Sequence, residues 1–317
     1  MRLRDRLAEL LAVERSPLRT RFASLAPARM KAAAWTLVRT ARRLRVYAGY
    51  RGHRGNGPGL ELAVCAIFRD EARYLAEWVT FHRLQGVERF WLYDNLSDDD
   101  WQAELAPELE SGLVTVLPWP HEPGQISAYL DCLRRHRADA RWIAFIDIDE
   151  FLFSPAGRSL SDVLKEFGQY SGVVVNWRVY GTNGYRERPE GLVVENYVMR
   201  GADTTPDNHF VKSIVYPRRT AGPKRGGPHA FDHLGAAVGE DRQPVFGHLR
   251  KPATAEVLRI NHYYSRSTAD LARKRARANA TDGQVRVTVN VPPDEVRDET
   301  ILRFLPALQE ALANRFG

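Results

Sequence analysis

Cysteine is scarce in this chain: 317 residues hold only Cys65 and Cys132, each inside an apolar run, and no C-x-x-C pair occurs. A cysteine zinc site and a disulfide-stapled scaffold are therefore excluded, and buried structural thiols in a reducing compartment are expected. Long hydrophobic runs are also missing. No stretch approaches the roughly 18 apolar residues that cross a bilayer, and no continuous apolar core follows the basic N-terminus as it would in a secretory signal. Neither G-x-G-x-x-G nor G-x-x-x-x-G-K-[ST] occurs, so a dehydrogenase-type dinucleotide fold and a P-loop both lack support. Lysine is rare, with Arg making up nearly all of the 46 basic residues.

What is present is the composition of a folded protein, with 44% hydrophobic, 27% charged and 10% aromatic residues. The net charge of +7 suggests a polyanion partner until the charge is located. Residues 1–57 contain 14 of the 46 basic residues and 3 of the 39 acidic ones, leaving 32 against 36 in the body. The body is mildly acidic, which excludes a nucleic-acid-binding domain there. The leader reads as two basic helical pieces around Pro17 and Pro27, followed by a Gly-rich linker, Gly49–Gly59. A basic, partly amphipathic helix suits the surface of an anionic membrane, so a cytoplasmic protein with peripheral contact at the inner membrane face is expected.

Beyond the linker, short apolar runs alternate with amphipathic helices. Strands are predicted at Leu62–Phe68, Arg89–Tyr93, Leu113–Leu117 and Trp142–Ile146, with helices opening at Asp70–Glu71 and running from Ile126 to His136. This is the pattern of βαβ units in a parallel sheet, whose ligands bind beyond the carboxyl ends of the strands. The polar residues fall at those ends: Arg69, Asp70 and Glu71, then Asp94 and Asn95, then Asp147, Asp149 and Glu150. On a strand i and i+2 share a face, so Asp147 and Asp149 are expected to project together while Ile148 turns into the core. Two neighbouring carboxylates repel each other and are costly to desolvate, and the expected compensation is Mg²⁺ or Mn²⁺.

The runs Cys65–Glu71, Glu77–His82, Gly86–Asn95, Trp142–Phe151 and Asn261–Ser267 together resemble glycosyltransferase family 92 and the related family 2. The likeness extends over about residues 62–280. It implies an α/β, GT-A type single large domain with a mainly parallel central sheet, a UDP-sugar or similar nucleotide-sugar donor, and a metal held by the D-x-D. The boundaries expected are a leader over 1–57, a transferase domain over 58–290 (donor half 58–155, acceptor half 156–290) and a C-terminal helix within 291–317. By the same resemblance, Asp147 and Asp149 hold the metal, with His262 as a further ligand. Arg69, Asp70, Glu71, Asp94 and Asn95 line the nucleoside pocket, and Arg266 and Lys274 offset diphosphate charge. Asp70 stands where family members commonly have asparagine.

The acceptor is expected over about residues 170–235, where aromatic and polar residues gather: Trp177, Tyr180, Asn183 and His229, with Lys212 nearby. The acids available as general base are Glu195 and Asp203. The reading that results is a metal-dependent transferase, taken as inverting, that passes a sugar to a glycan or lipid-linked saccharide in cell-surface polysaccharide synthesis. Two rivals remain at this point. One is a non-catalytic glycan-binding module tethered by the leader. The other is a glycoside hydrolase, although carboxylates projecting in parallel do not flank a sugar from two sides.

Overall fold

A computed structural model describes residues 59–224, 227–276 and 291–315. The basic leader, with its membrane-surface reading, lies outside them. Among the described residues no helix is long and apolar enough to cross a membrane.

The first four strands are those predicted: β1 (Leu60–Phe68), β2 (Arg89–Asp94), β3 (Val114–Pro118) and β4 (Ala140–Phe145). They lie side by side in the order β4-β1-β2-β3, all parallel. Seven consecutive residues of β1, Leu62 to Phe68, are buried, because layers cover both faces of the sheet. Helix α1 (Ala72–Leu84) crosses from β1 to β2, and helix α2 (Gln125–His136) from β3 to β4. The Asp99 carboxylate accepts the Ala72 N–H at 2.7 Å at the start of α1. Just past its end, Gly86 takes φ +95°, the left-handed conformation that closes helices.

The second half of the chain completes the sheet. After β5 (Glu150–Phe153) come β6 (Gly172–Val179), the short β7 (Met199–Arg200) and β8 (Val211–Val215). Strand β8 lies antiparallel between β4 and β6 and so joins the two halves. The pair β9 (Thr220–Pro223) and β10 (Phe231–His233) forms a separate ribbon, and β11 (Ala237–Val238) and β12 (Pro244–Val245) extend the sheet beyond β6. Strand β13 (Arg259–His262) pairs with β5 and with the far end of β6. Helix α3 (Thr268–Ala276) follows it. In the last segment β14 (Val296–Arg297) pairs with β7, and helix α4 (Leu305–Ala313) packs on α1. The buried Asp298 carboxylate accepts from Arg200 and Arg259, at 2.7 Å each, so the C-terminal segment is fastened to the body.

Three side chains of α1 brace the rest. Trp78 donates from its indole to the Glu150 carbonyl at 2.8 Å. Because a carbonyl can only accept, His82 Nδ1 carries the proton it gives to Trp78 O, and its bare Nε2 accepts from the Leu152 N–H at 3.0 Å. The Glu77 carboxylate accepts the N–H groups of Val193 and Val194 at 2.8 and 3.0 Å.

Burial sets how these groups titrate. His82, His229 and His233 are pushed down from 6.5 to about 3, chiefly by desolvation. Desolvation raises Glu77 to about 7, against the pull of its two backbone hydrogen bonds. The unfolded chain therefore binds more protons at the three histidines between about pH 3 and 6.5, and fewer at Glu77 between about pH 4.3 and 7. Glu150, likewise raised by burial, works with Glu77 against the histidines, so a single histidine's share is isolated by substitution. The gain in urea midpoint from about pH 5 to about pH 7 should be smaller in His82→Asn than in the wild-type protein.

Candidate functional site

The D-x-D does not continue the fourth strand. Strand β4 ends at Phe145, and residues 147–149 form a turn into β5. The Glu150 N–H donates to the Asp147 carbonyl at 3.0 Å, while Glu150 Oε2 accepts the Asp147 N–H at 2.9 Å. An acidic side chain that captures a nearby backbone donor competes with the ladder, which is why the strand stops. Ile148 is buried as expected. The two carboxylates have separate sets of partners.

Asp147 Oδ1 accepts from Gln125 at 2.9 Å and from the Tyr129 hydroxyl at 3.3 Å, both on α2. Its Oδ2 accepts from the Lys212 ammonium of β8 at 2.7 Å. Lys212 is 1% exposed and also lies 3.5 Å from the fully buried Glu150. Desolvation drives Glu150 well above the ordinary carboxylate range despite Lys212, and one of its oxygens has no hydrogen-bond partner. Lys212 itself is raised: burial lowers it, but Asp147 and Glu150 pull harder.

Asp149 meets different groups. Its Oδ2 lies 3.5 Å from His262 Nε2 and is paired with the Lys274 ammonium of α3. Burial alone would raise Asp149, yet Lys274 and His262 hold it well below the ordinary range. Register explains the meeting: His262 sits opposite Glu150 across β13 and β5, and the Tyr263 N–H donates to the Asp149 carbonyl at 2.8 Å. The other nitrogen of His262, Nδ1, is buried without a partner.

The donor-side residues form a cross-tied rim. Arg69 pairs with Glu122 at 2.8 Å. Asp70, at φ 51°, gives its N–H to Ser97 and accepts from the Asp98 N–H, while Asp94 accepts from the Ser97 N–H. Asn95 donates to the Trp119 and His121 carbonyls. Arg266 is committed inward: it donates to Glu71 at 2.6 Å and to the Ile148 carbonyl, and lies over the Tyr74 ring at 3.4 Å. Of the two cations expected to offset diphosphate charge, Lys274 pairs with a carboxylate of the D-x-D, while Arg266 holds its backbone at Ile148.

On the acceptor side, Trp177 lies against His262 at 4.2 Å between ring centroids and against His229 at 5.4 Å. His229 Nδ1 must carry a proton to reach the Val211 carbonyl at 3.0 Å. Since desolvation keeps the ring neutral, Nε2 holds a lone pair. Tyr180 is fully buried, its hydroxyl accepting from Arg259, so it presents no surface to a ligand. Asn183 is spent on a turn, bonding Gly181 and Met199. Glu195 is exposed on the four-residue helix Val193–Asn196, and Asp203 is ion-paired with Arg200 and Arg178. Neither acid is hydrogen-bonded or ion-paired to Asp147, Asp149 or His262.

Sequence reasoning missed Gln125, Tyr129 and the pairing of Lys212. Lys212 carried a signal: one of few lysines, set inside the apolar strand Val-Lys-Ser-Ile-Val, marks a buried cation that needs an anion. Nothing comparable marked Gln125 or Tyr129, which lie on an amphipathic helix among ordinary neighbours.

The model of glycosyltransferase family 92 matches residues 60–265, the segment that holds every strand of this site. The chain belongs to glycosyltransferase family 92. A family 92 protein of Ricinus communis is 33% identical over 171 residues, covering 52% of this chain and 30% of that protein. Another, of Oryza sativa subsp. japonica, is 35% identical over 161 residues, 49% of this chain and 27% of that protein. Galactan beta-1,4-galactosyltransferase GALS2 of Arabidopsis thaliana is 32% identical over 108 residues, 31% of this chain and 21% of that protein. The chain thus spans less than a third of the length of each of these relatives. Among solved structures, S. aureus TarS 1-349 aligns with 50% of this chain and 47% of that chain, at 12% identity and a TM-score of 0.34.

The charge balance of the family 92 site can be tested by stability alone. Lys212→Met leaves Asp147 and Glu150 without their buried cation and should cost about 3–5 kcal/mol in urea unfolding. Adding Glu150→Gln to that variant should recover part of the loss. A loss under about 1 kcal/mol would mean that Lys212 is not the counter-ion of this turn.

Proposed function

We propose that this chain transfers a hexose from a UDP-sugar to a glycan acceptor, with galactose as the sugar, and that a divalent cation assists. The observation that carries the proposal is the acidic turn at the carboxyl end of β4, facing His262, inside the family 92 segment. The galactan galactosyltransferases of Arabidopsis thaliana among its relatives favour galactose.

Asp149 and His262 are the residues that would hold the cation. Among the described residues no three His, Cys, Asp or Glu side chains converge as a metal cage. A carboxylate and an imidazole facing each other at 3.5 Å still fit Mn²⁺ or Mg²⁺, which keep several positions for water and substrate phosphate oxygens. The imidazole nitrogen favours Mn²⁺ of the two. Bound there, the cation would supply Lewis-acid stabilisation of the departing diphosphate.

The chain's own groups do the rest. Asp147, already neutralised by Lys212, fixes the turn. Lys274 is 31% exposed at its side chain and rests 3.8 Å above the Tyr264 ring, placed to shift from Asp149 onto diphosphate oxygens. The lone pair of His229 Nε2 accepts from an acceptor hydroxyl and so orients its oxygen, while Trp177 supplies an apolar face between that hydroxyl and the donor end.

Release of UDP from UDP-galactose without acceptor, measured with and without Mn²⁺, tests the donor half of this proposal. The wild-type protein should hydrolyse the donor slowly and only with the cation. Asp149→Asn should lower that rate at least about 100-fold, since removing a direct ligand costs no less than disturbing an outer one. A folded Asp149→Asn protein that kept most of the turnover would overturn the assignment.

A further inference from the structure

Asp70 and Arg266 are two of five non-glycine residues with positive φ among the described residues, at 51° and 45°. A long side chain such as arginine disfavours this left-handed region, and the conformation persists only where the surroundings over-determine it. The two residues belong to one contact. Asp70 directly precedes Glu71, whose Oε2 accepts from Arg266 Nη1 at 2.6 Å. These partners are 195 residues apart, one at the start of α1 and the other between β13 and α3.

The guanidinium spans more than this pair. Its Nη2 donates at 3.3 Å to the carbonyl of Ile148, the middle residue of the D-x-D. Its central carbon lies 3.4 Å from the centroid of the Tyr74 ring. Arg266 is 5% exposed, and its Nε is buried without a hydrogen-bond partner. A side chain so enclosed offers nothing to a diphosphate unless it gives up the contacts that hold it. The next residue, Ser267, accepts the Asp270 N–H on its hydroxyl at 3.1 Å and so caps α3. Arg266 therefore fixes the point where α3 begins, and α3 carries Lys274 to Asp149. One guanidinium thus holds the backbone just before Asp149 and anchors the helix that brings Asp149 its cation.

We infer that Arg266 is a positioning residue for the transfer reaction: without touching the donor, it sets where Asp149 and Lys274 stand and thereby the affinity for a nucleoside diphosphate with its divalent cation. The inference rests on the transferase reading above, and it replaces the charge-offsetting role that the family resemblance implies for this residue. The planar fork is what the place requires. A guanidinium bonds a carboxylate and a carbonyl through separate nitrogens while its face rests on a ring. A lysine ammonium is a point charge on a flexible stem and cannot hold all three.

The test uses the full chain, with UDP titrated by calorimetry in the presence of Mn²⁺ and the urea midpoint measured alongside. Arg266→Lys keeps the charge and Arg266→Met removes it. Both should weaken UDP binding by at least about tenfold, as changes to groups that support metal ligands do. Near-wild-type binding by Arg266→Lys beside weak binding by Arg266→Met would overturn the inference, since charge alone would then suffice. Wild-type affinity in both variants with lowered urea midpoints would overturn it as well, because Arg266 would then only hold the fold together. Should neither variant fold, Tyr74→Leu carries the test: it keeps Arg266, removes the ring against it, and should weaken UDP binding by about threefold or more. Unchanged affinity there would again overturn the inference. A wild-type protein that binds no UDP with Mn²⁺ sinks the transferase reading itself, whereas binding that these substitutions leave intact sinks only the role of Arg266.

Discussion

Three carboxylates within four residues, Asp147, Asp149 and Glu150, have to be neutralised at the end of a buried strand, and the fold is arranged around that requirement. Isolated carboxylates in such a place cost several kcal/mol each or take up a proton. Glu150 leans toward the second outcome, with burial raising it and one oxygen left without a partner. The other two are met by cations that reach them from distant parts of the chain. Lys212 comes from β8, the antiparallel strand that joins the halves, and Lys274 from α3, more than a hundred residues after the turn. The second half of the chain therefore does more than complete the sheet. It supplies the cations that meet the acidic turn at the end of β4.

The turn also needs a fixed position, and α1 supplies it. Trp78 and His82 hold the backbone of β5 at Glu150 and Leu152, directly after the D-x-D, while Glu77 holds the N–H groups of Val193 and Val194. One helix thus sets the position of the turn and ties in the segment at Val193 and Val194. The run Glu-Trp-Val-Thr-Phe-His looks like an ordinary amphipathic helix when read by periodicity. Glu77, Trp78 and His82 in it each end on a specific backbone group.

This difference marks how far the sequence was legible. Apolar runs bounded by turn residues gave the strands of the parallel half almost residue for residue, since burial on both faces leaves a continuous signal. The D-x-D was visible because acids after such a run stand out. What could not be read was the turn itself. The assumption that i and i+2 share a face holds only while the strand continues, and Glu150 ends it by capturing the Asp147 N–H. Partners across the fold were equally hidden: Arg266 to Glu71 and Lys274 to Asp149 span 195 and 125 residues, and their pairing depends on where β13 and α3 dock. The acceptor residues fared unevenly for the same reason. Trp177 and Tyr180 lie three residues apart around the end of β6, yet one abuts His262 and the other bonds Arg259 in the core.

One indole touches two histidines of the site: His229 and His262 lie 5.4 and 4.2 Å from the Trp177 ring. The tautomer of His229 is set by the Val211 carbonyl, so its free nitrogen can only accept while the ring stays uncharged. Lys212 lies close enough to help lower it, which means that the cation that stabilises the acidic turn also keeps this histidine from becoming a cation itself. The Trp177 ring thus touches both the histidine that offers this lone pair and the one that meets Asp149, so the two ends of the acidic turn's surroundings share one apolar wall.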